Sequence, residues 1–216
     1  METRMKRRRY PGGAVRRAWI CLFLVSITAC AWTGTPQSAL ATSPGEVTLH
    51  LDPGQSKLQW ALGSTLHTVH GTFLLKRGAM KFDPASGTAN GEFVADAASG
   101  ESGNESRDKK MHREILESGR YSEVIFRPNR IEGKVLAEGS SHVEVRGTFL
   151  LHGSQHELTV PVEAELDGKS WKGSARFSVP YLQWGLKSPN TFLLKADPAV
   201  EIILELSGTL ERAVAP

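Results

Sequence analysis

SGNESRDKKMHREILESGRYSEVIFRP, residues Ser102 to Pro128, decides how this chain is to be read, because it holds the one good soluble helix in a sequence otherwise patterned as strands. From Arg107 to Ser118 the apolar residues are Met111, Ile115 and Leu116, spaced i, i+4, i+5, which makes one narrow apolar stripe on a charged helix. A stripe this narrow can seal a surface but cannot form a core. Gly103 and Asn104 before it and Gly119 after it supply turn and C-cap chemistry, and Asn104 or Ser106 is placed to accept the first free N–H groups. A helix over about 107–118 is expected, followed by a strand through Val124-Ile125-Phe126 that stops at Pro128.

Outward from this stretch the period becomes two. Val143, Val145, Gly147, Phe149 and Leu151 oppose His142, Glu144, Arg146 and Thr148; Leu158, Val160, Val162, Ala164 and Leu166 oppose Glu157, Thr159, Glu163 and Glu165. Trp171, Gly173, Ala175, Phe177 and Val179 form another such face, as do Ile202, Leu204, Leu206 and Leu210, with Ile203 out of pattern; Leu58, Trp60 and Leu62 open the series. Strict alternation of this kind marks half-buried antiparallel strands with one wet face. Turn signals separate the runs at Asp52-Pro53-Gly54, Asp83-Pro84 with Gly87, Glu138-Gly139, His152-Gly153, Asp167-Gly168 and Asp197-Pro198, too closely spaced for βαβ crossovers. The expected fold is all-β: an antiparallel barrel of eight to ten strands interrupted by one helix after Ala97, with a sandwich as the alternative. No internal repeat is expected. The small inward residues Gly91, Gly147, Ala164, Gly173 and Ala175 leave room near the axis of such a barrel, although a filled interior is the simpler reading of the residues alone.

The first 41 residues stand apart. Arg4, Lys6, Arg7, Arg8, Arg9, Arg16 and Arg17 precede an apolar run from Ala18 to Trp32 and the small-residue site Ala39-Leu40-Ala41, the plan of a cleaved signal peptide. The run is short for a membrane-spanning helix. Ile27-Thr28-Ala29-Cys30 gives an alternative reading, a lipoprotein anchored at Cys30. Of the 216 residues, 42–216 then form one domain, expected in the periplasm or secreted. Seven of 26 basic and one of 23 acidic residues lie in the leader, so the remainder carries 19 against 22, a net charge of −3. That balance excludes the basic surface of a nucleic-acid binder. Cys21 and Cys30, the only cysteines, both fall in the leader, so stability must come from the core rather than disulfides.

Candidate chemistry is sparse. His67 and His70 are three apart and on a strand point to opposite faces, while His152 and His156 flank a turn; two histidines fall short of the three or four protein ligands usual for zinc. His112 is expected to face solvent. The chain beyond residue 41 has no Cys, no Gly-x-Ser-x-Gly and no nucleotide-binding glycine pattern, so neither covalent catalysis nor nucleotide chemistry has a starting residue. Arg107-Asp108 reads as helix-terminal charge rather than a catalytic pair. Trp60, Phe73, Phe93, Phe126, Phe149, Phe177, Tyr181, Trp184 and Phe192 are core by default.

The Ser102–Pro128 stretch, followed by VRGTFLLHGSQHELTVPV at Val145–Val162 and preceded by LDPGQSKLQW at Leu51–Trp60 and VHGTFLLKRGAMKFDP at Val69–Pro84, resembles the YceI-like family of bacterial periplasmic proteins. The resemblance runs from about Leu51 to Leu210. It implies an extended lipocalin-like β-barrel whose elongated cavity binds an isoprenoid or other long apolar chain: a polyisoprenoid, a quinone tail or a fatty amide. It gives the helix a purpose as a hydrophobic cover. It also turns Trp60, Leu62, Phe73, Phe93, Met111, Ile115, Phe126, Val145, Phe149, Val160, Phe177 and Trp184 into expected cavity-wall residues. No cofactor is implied beyond a bound isoprenoid lipid or quinone, and no catalytic or metal residue. Expected partners are the amphiphilic lipid, a membrane redox protein and, through exposed edge strands, a second copy of the chain. The chain departs from the family pattern at Gln55-Ser56, in the Gly63-Ser64 region and at Val179-Pro180-Tyr181 before Trp184-Gly185, so head-group contacts do not carry over. The rival readings are an envelope enzyme acting on an isoprenoid lipid and a ligand-free structural or stress-related protein. A continuous cavity is what would separate the filled barrel from the other two.

Overall fold

Each alternating run becomes a strand in the computed structural model, which describes residues 45–190 and 194–213. The leader, with the expected cleavage site at Ala41 and Cys30, lies outside the described residues, as does Phe192. The strands are β1 (Val47–Leu51), β2 (Lys57–Leu62), β3 (Val69–Phe82), β4 (Ala89–Glu101), β5 (Glu123–Glu132), β6 (Gly139–Leu151), β7 (Ser154–Asp167), β8 (Ser170–Val179) and β9 (Val200–Arg212). Every pairing is antiparallel and sequence neighbours are spatial neighbours, from β3 round to β9. β1 and β2 both lie between β3 and β9, so they are two halves of one broken strand and the nine labelled strands make a closed eight-stranded barrel. The break is local chemistry. The Asp52 carboxylate accepts the Gly54 N–H at 2.9 Å, Pro53 has no N–H to donate, and one 3₁₀ turn at Pro53–Gln55 results. Closure removes the strand edges on which the expectation of a dimer rested.

Turn residues set the register. His152 and Gly153 both have positive φ, 52° and 78°, as a two-residue hairpin turn whose twist matches its strands requires, and β6 and β7 then pair without a break from Leu151↔Ser154 to Gly139↔Leu166. β5 does not stop at Pro128. It runs on to Glu132, because proline opposite Gly147 is absorbed by a register shift before Arg130 rather than ending the ladder.

The helix is present but built differently from expectation. Asn104 is the N-cap, its side chain accepting the Arg107 N–H at 3.0 Å, and α1 spans Glu105–Lys110. The next turn, Met111–Ile115, is a π-helix in which the Leu116 N–H reaches the Met111 carbonyl at 2.9 Å. That i→i+5 closure brings Leu116 over Met111, which is why an i, i+4, i+5 spacing forms one stripe. The left-handed residue at the end is Glu117, with φ 46°, and not Gly119.

Two apolar clusters occupy opposite ends of the barrel. Val47, Leu49, Met80, Phe82, Ile131, Val143, Leu166, Trp171 and Leu210 belong to the one beneath the β3–β4, β5–β6 and β7–β8 turns, where the Trp171 indole N–H donates to the His50 carbonyl at 3.1 Å. Leu151, Val179, Tyr181 and Leu186, with Ile115, Leu116, Leu182 and Trp184 packed against them, form the other, at the helix end. Full burial of one such aliphatic side chain stabilises the fold by about 1.5–3 kcal/mol. The cover is therefore in two parts, the helix and residues 180–190 between β8 and β9.

Candidate functional site

Between the two clusters the barrel is hollow. A cavity of about 530 Å³ runs through it, within the range of ~300–1,000 Å³ usual for ligand sites. Along β6 its wall extends from Val143 to Leu151, eight residue steps of ~3.3 Å or about 26 Å of strand. The shape therefore suits an extended chain better than a compact molecule. Ala164, Gly173 and Ala175 line it, and Ala164 sits opposite Gly173 in the β7–β8 register, so the wall is thin there. Gly91 and Gly147 do not line it. A Cβ on Gly147 would lie 2.3 Å from the Arg127 carbonyl oxygen and one on Gly91 2.1 Å from that of Ala79, so both glycines serve close backbone approach rather than interior space.

The structure brings the sequence-expected wall residues Trp60, Leu62, Phe73, Phe93, Met111, Ile115, Phe126, Val145, Phe149, Val160 and Phe177 to this one cavity. Trp184 is the exception. It packs outside the lining, parallel to His156 with ring centroids 4.2 Å apart and 5.6 Å from Phe149, because residues 180–190 do not continue the alternation of β8. His152 lies in the β6–β7 hairpin turn against Tyr121, 4.4 Å between centroids, so His152 and His156 each have an aromatic neighbour rather than each other. His112 is not solvent-facing. One ring nitrogen is 2.8 Å from the Gly100 carbonyl and the other 3.1 Å from Ser118 Oγ, fastening the π turn to the end of β4.

Sequence reasoning missed the far wall, where Leu49, Leu75, Met80, Phe82 and Ile131 extend the lining, and a signal existed for part of it. The run V-x-G-T-F-L-L occurs twice, at 69–75 and 145–151, contrary to the expectation of no repeat. In both copies the valine, the phenylalanine and the second leucine line the cavity, and in both a Cβ on the glycine would meet the neighbouring strand's carbonyl oxygen, at 2.2 and 2.3 Å.

Polar lining is confined to the helix end. Ser64 and His67 come from the β2–β3 connection, Arg107 and Lys110 from α1, and Tyr181 from the cover. The Arg107 guanidinium donates through Nε to Ser102 Oγ at 2.7 Å and through Nη2 to the Ser102 carbonyl at 2.9 Å, while the Ser102 hydroxyl donates to Asp108. Lys110 Nζ donates to the Pro189 carbonyl at 3.1 Å, joining the two parts of the cover. The Tyr181 hydroxyl donates to the Asp197 carbonyl at 2.8 Å, and burial pushes its ionisation up from the ordinary phenol range. Of the departures noted in sequence, Ser64 and Tyr181 thus stand at the cavity end, whereas Gln55 bonds Asp52 in the broken-strand turn.

An eight-stranded barrel with this cover matches a known domain pattern. The YceI-like domain model aligns with residues 49–207. This chain belongs to the YceI-like family. Among solved structures the YceI-like barrel is similar to BcnA from Burkholderia cenocepacia, with a TM-score of 0.61 at 18% identity over 74% of this chain and 99% of that one. It is similar also to a polyisoprenoid-binding domain from Saccharophagus degradans, implicated in plant cell wall breakdown, with a TM-score of 0.56 at 16% identity over 76% and 98%. At these identities the likeness concerns the fold. No curated protein matches the sequence.

Proposed function

We propose that this YceI-like protein is an exported carrier that holds an isoprenoid or other long apolar chain inside its barrel, without catalysis. The observation that carries the reading is the cavity itself: an elongated, almost wholly apolar space that the packing leaves open in the middle of the molecule. An empty apolar cavity costs stability in proportion to its size, so a fold that retains one is expected to fill it with a ligand. Such a ligand would be held chiefly by area, at roughly 25 cal/mol per Å² of apolar surface removed from water. Family membership and the likeness to a polyisoprenoid-binding domain support the same class of ligand. The basic leader and the Ala39-Leu40-Ala41 site support export, with lipidation at Cys30 as the alternative route to the envelope.

Native mass spectrometry with lipid extraction, on protein purified from the cells that make it, tests the proposal. A long-chain lipid should co-purify with the folded protein. Recovery of empty protein only, together with no thermal protection by added isoprenoid quinones, overturns it. Phe149→Asp, which places a carboxylate on the wall, should abolish lipid uptake in a variant that still folds.

A further inference from the structure

The cavity is apolar along its length yet ends in charge of one sign. Arg107 and Lys110 are the charged residues of its lining, and no carboxylate joins them there among the described residues. They lie three apart on α1 and therefore on one face. Neither forms an ion pair among the described residues, since Arg107 bonds Ser102 and Lys110 bonds a carbonyl. The nearby acids are engaged elsewhere. Glu105 pairs with Lys109 at 2.6 Å, Asp108 accepts from Ser102, and Glu114 pairs with Arg113 at 2.5 Å, with Lys110 acting on it through space. Both cations are half-buried, so an anion reaching this end of the apolar space would meet two charged donors partly shielded from water. The guanidinium is also held in place. Ser102 takes its Nε and Nη2 hydrogens, which fixes the plane and leaves Nη1 without a partner among the described residues.

We infer that Arg107 and Lys110 form a head-group site selecting an anionic amphiphile, a chain ending in a carboxylate or a phosphate, over the same chain with a neutral head. This rests on the carrier reading and sharpens it, since neutral quinones and amides would gain nothing from the two charges. Ser64 and His67, on the β2–β3 connection, add a hydroxyl and a ring to the lining of the same end.

The test uses full-length delipidated protein and chain-matched probes below their aggregation concentrations: palmitic acid against hexadecanol, and farnesyl phosphate against farnesol, with binding followed by intrinsic tryptophan fluorescence and by calorimetry. The acid and the phosphate are expected to bind about tenfold or more tightly than their alcohols, and the advantage should shrink with salt. Lys110→Gln and Arg107→Gln should remove most of that advantage, weakening the acid and the phosphate far more than the alcohols. Because Arg107 also orders Ser102, the Lys110 variant and Arg107→Lys are the controls for folding. A preference of one anion over the other assigns carboxylate or phosphate. Equal affinity for acids and alcohols, or an equal loss for both in the variants, overturns the head-group site and leaves the carrier reading standing. Binding of neither member of either pair overturns both.

Discussion

At the residue scale the outer face of the barrel carries a clear electrostatic determinant. Arg77, at the bulge between Leu75 and Arg77 in β3, bonds Glu92 of β4 at 3.1 Å and Glu123 of β5 at 3.0 Å, and Lys76 reaches Glu123 at 2.9 Å. Hydrogen bonds from Arg77 first, then Lys76, hold the Glu123 carboxyl down from an ordinary 4.5 to about 2. A carboxylate depressed in the folded state stabilises it above the ordinary value, and that contribution fades as pH falls from about 4.5 towards about 2. Glu123→Gln should therefore lower the melting temperature at neutral pH and flatten its decline across that acid window, read by thermal unfolding between pH 2 and 7. An unchanged acid limb would show that the pair is screened by solvent, as exposed pairs often are. Inside the barrel, Ala164 faces the cavity rather than packed atoms. Ala164→Phe is expected to leave the fold intact, with stability unchanged or raised by about 0.5–2 kcal/mol, while lowering the amount of lipid recovered per protein.

Among the elements, the cover separates stability from retention of ligand. The Asn104 cap satisfies a free N–H of a helix only a few turns long, and Asn104→Ala should cost about 1 kcal/mol, seen as faster amide exchange over 105–115 before the strands exchange. Met111 and Ile115 line the cavity from above and are half-buried. Met111→Ala with Ile115→Ala should speed lipid release, measured by stopped-flow transfer to acceptor vesicles, with little change in the unfolding of the barrel, whose closure does not involve them. Equal release rates would place the route of exit elsewhere than under the helix. The helix was legible because its stripe is a local property of residues 107–118, and Asn104 announced its start. Its π turn, the Glu117 end and the inward bonding of His112 were not, since each answers to where β4 and the 180–190 cover stand. Trp184 was misplaced for the same reason: its neighbours Phe149 and His156 are about 30 residues away in sequence and meet it only once β6, β7 and the cover are packed together.

For the whole molecule, sequence and tertiary structure divide the determination cleanly. Alternation follows from the pleat of a single strand, so Val143 to Leu151, Leu158 to Leu166 and Trp171 to Val179 could be assigned faces with no knowledge of their partners. The hairpin at His152-Gly153 was equally local. Pro128 misled because the rule that proline ends a ladder is local, whereas the bulge that accommodates it depends on Gly147 in the partner strand. Closure depends on pairs such as Val47↔Arg212, near the two ends of the described chain, and no local pattern fixes whether the last strand meets the first. The sequence by itself determined the alternating strands β2 and β6 to β9, most of their inward faces and the amphipathic helix, because these are set by residues within a few positions of one another. Only the tertiary structure decided that the strands close, that the interior stays open as one cavity, and that Arg107 and Lys110 stand at its end, because each depends on distances between segments far apart in the chain.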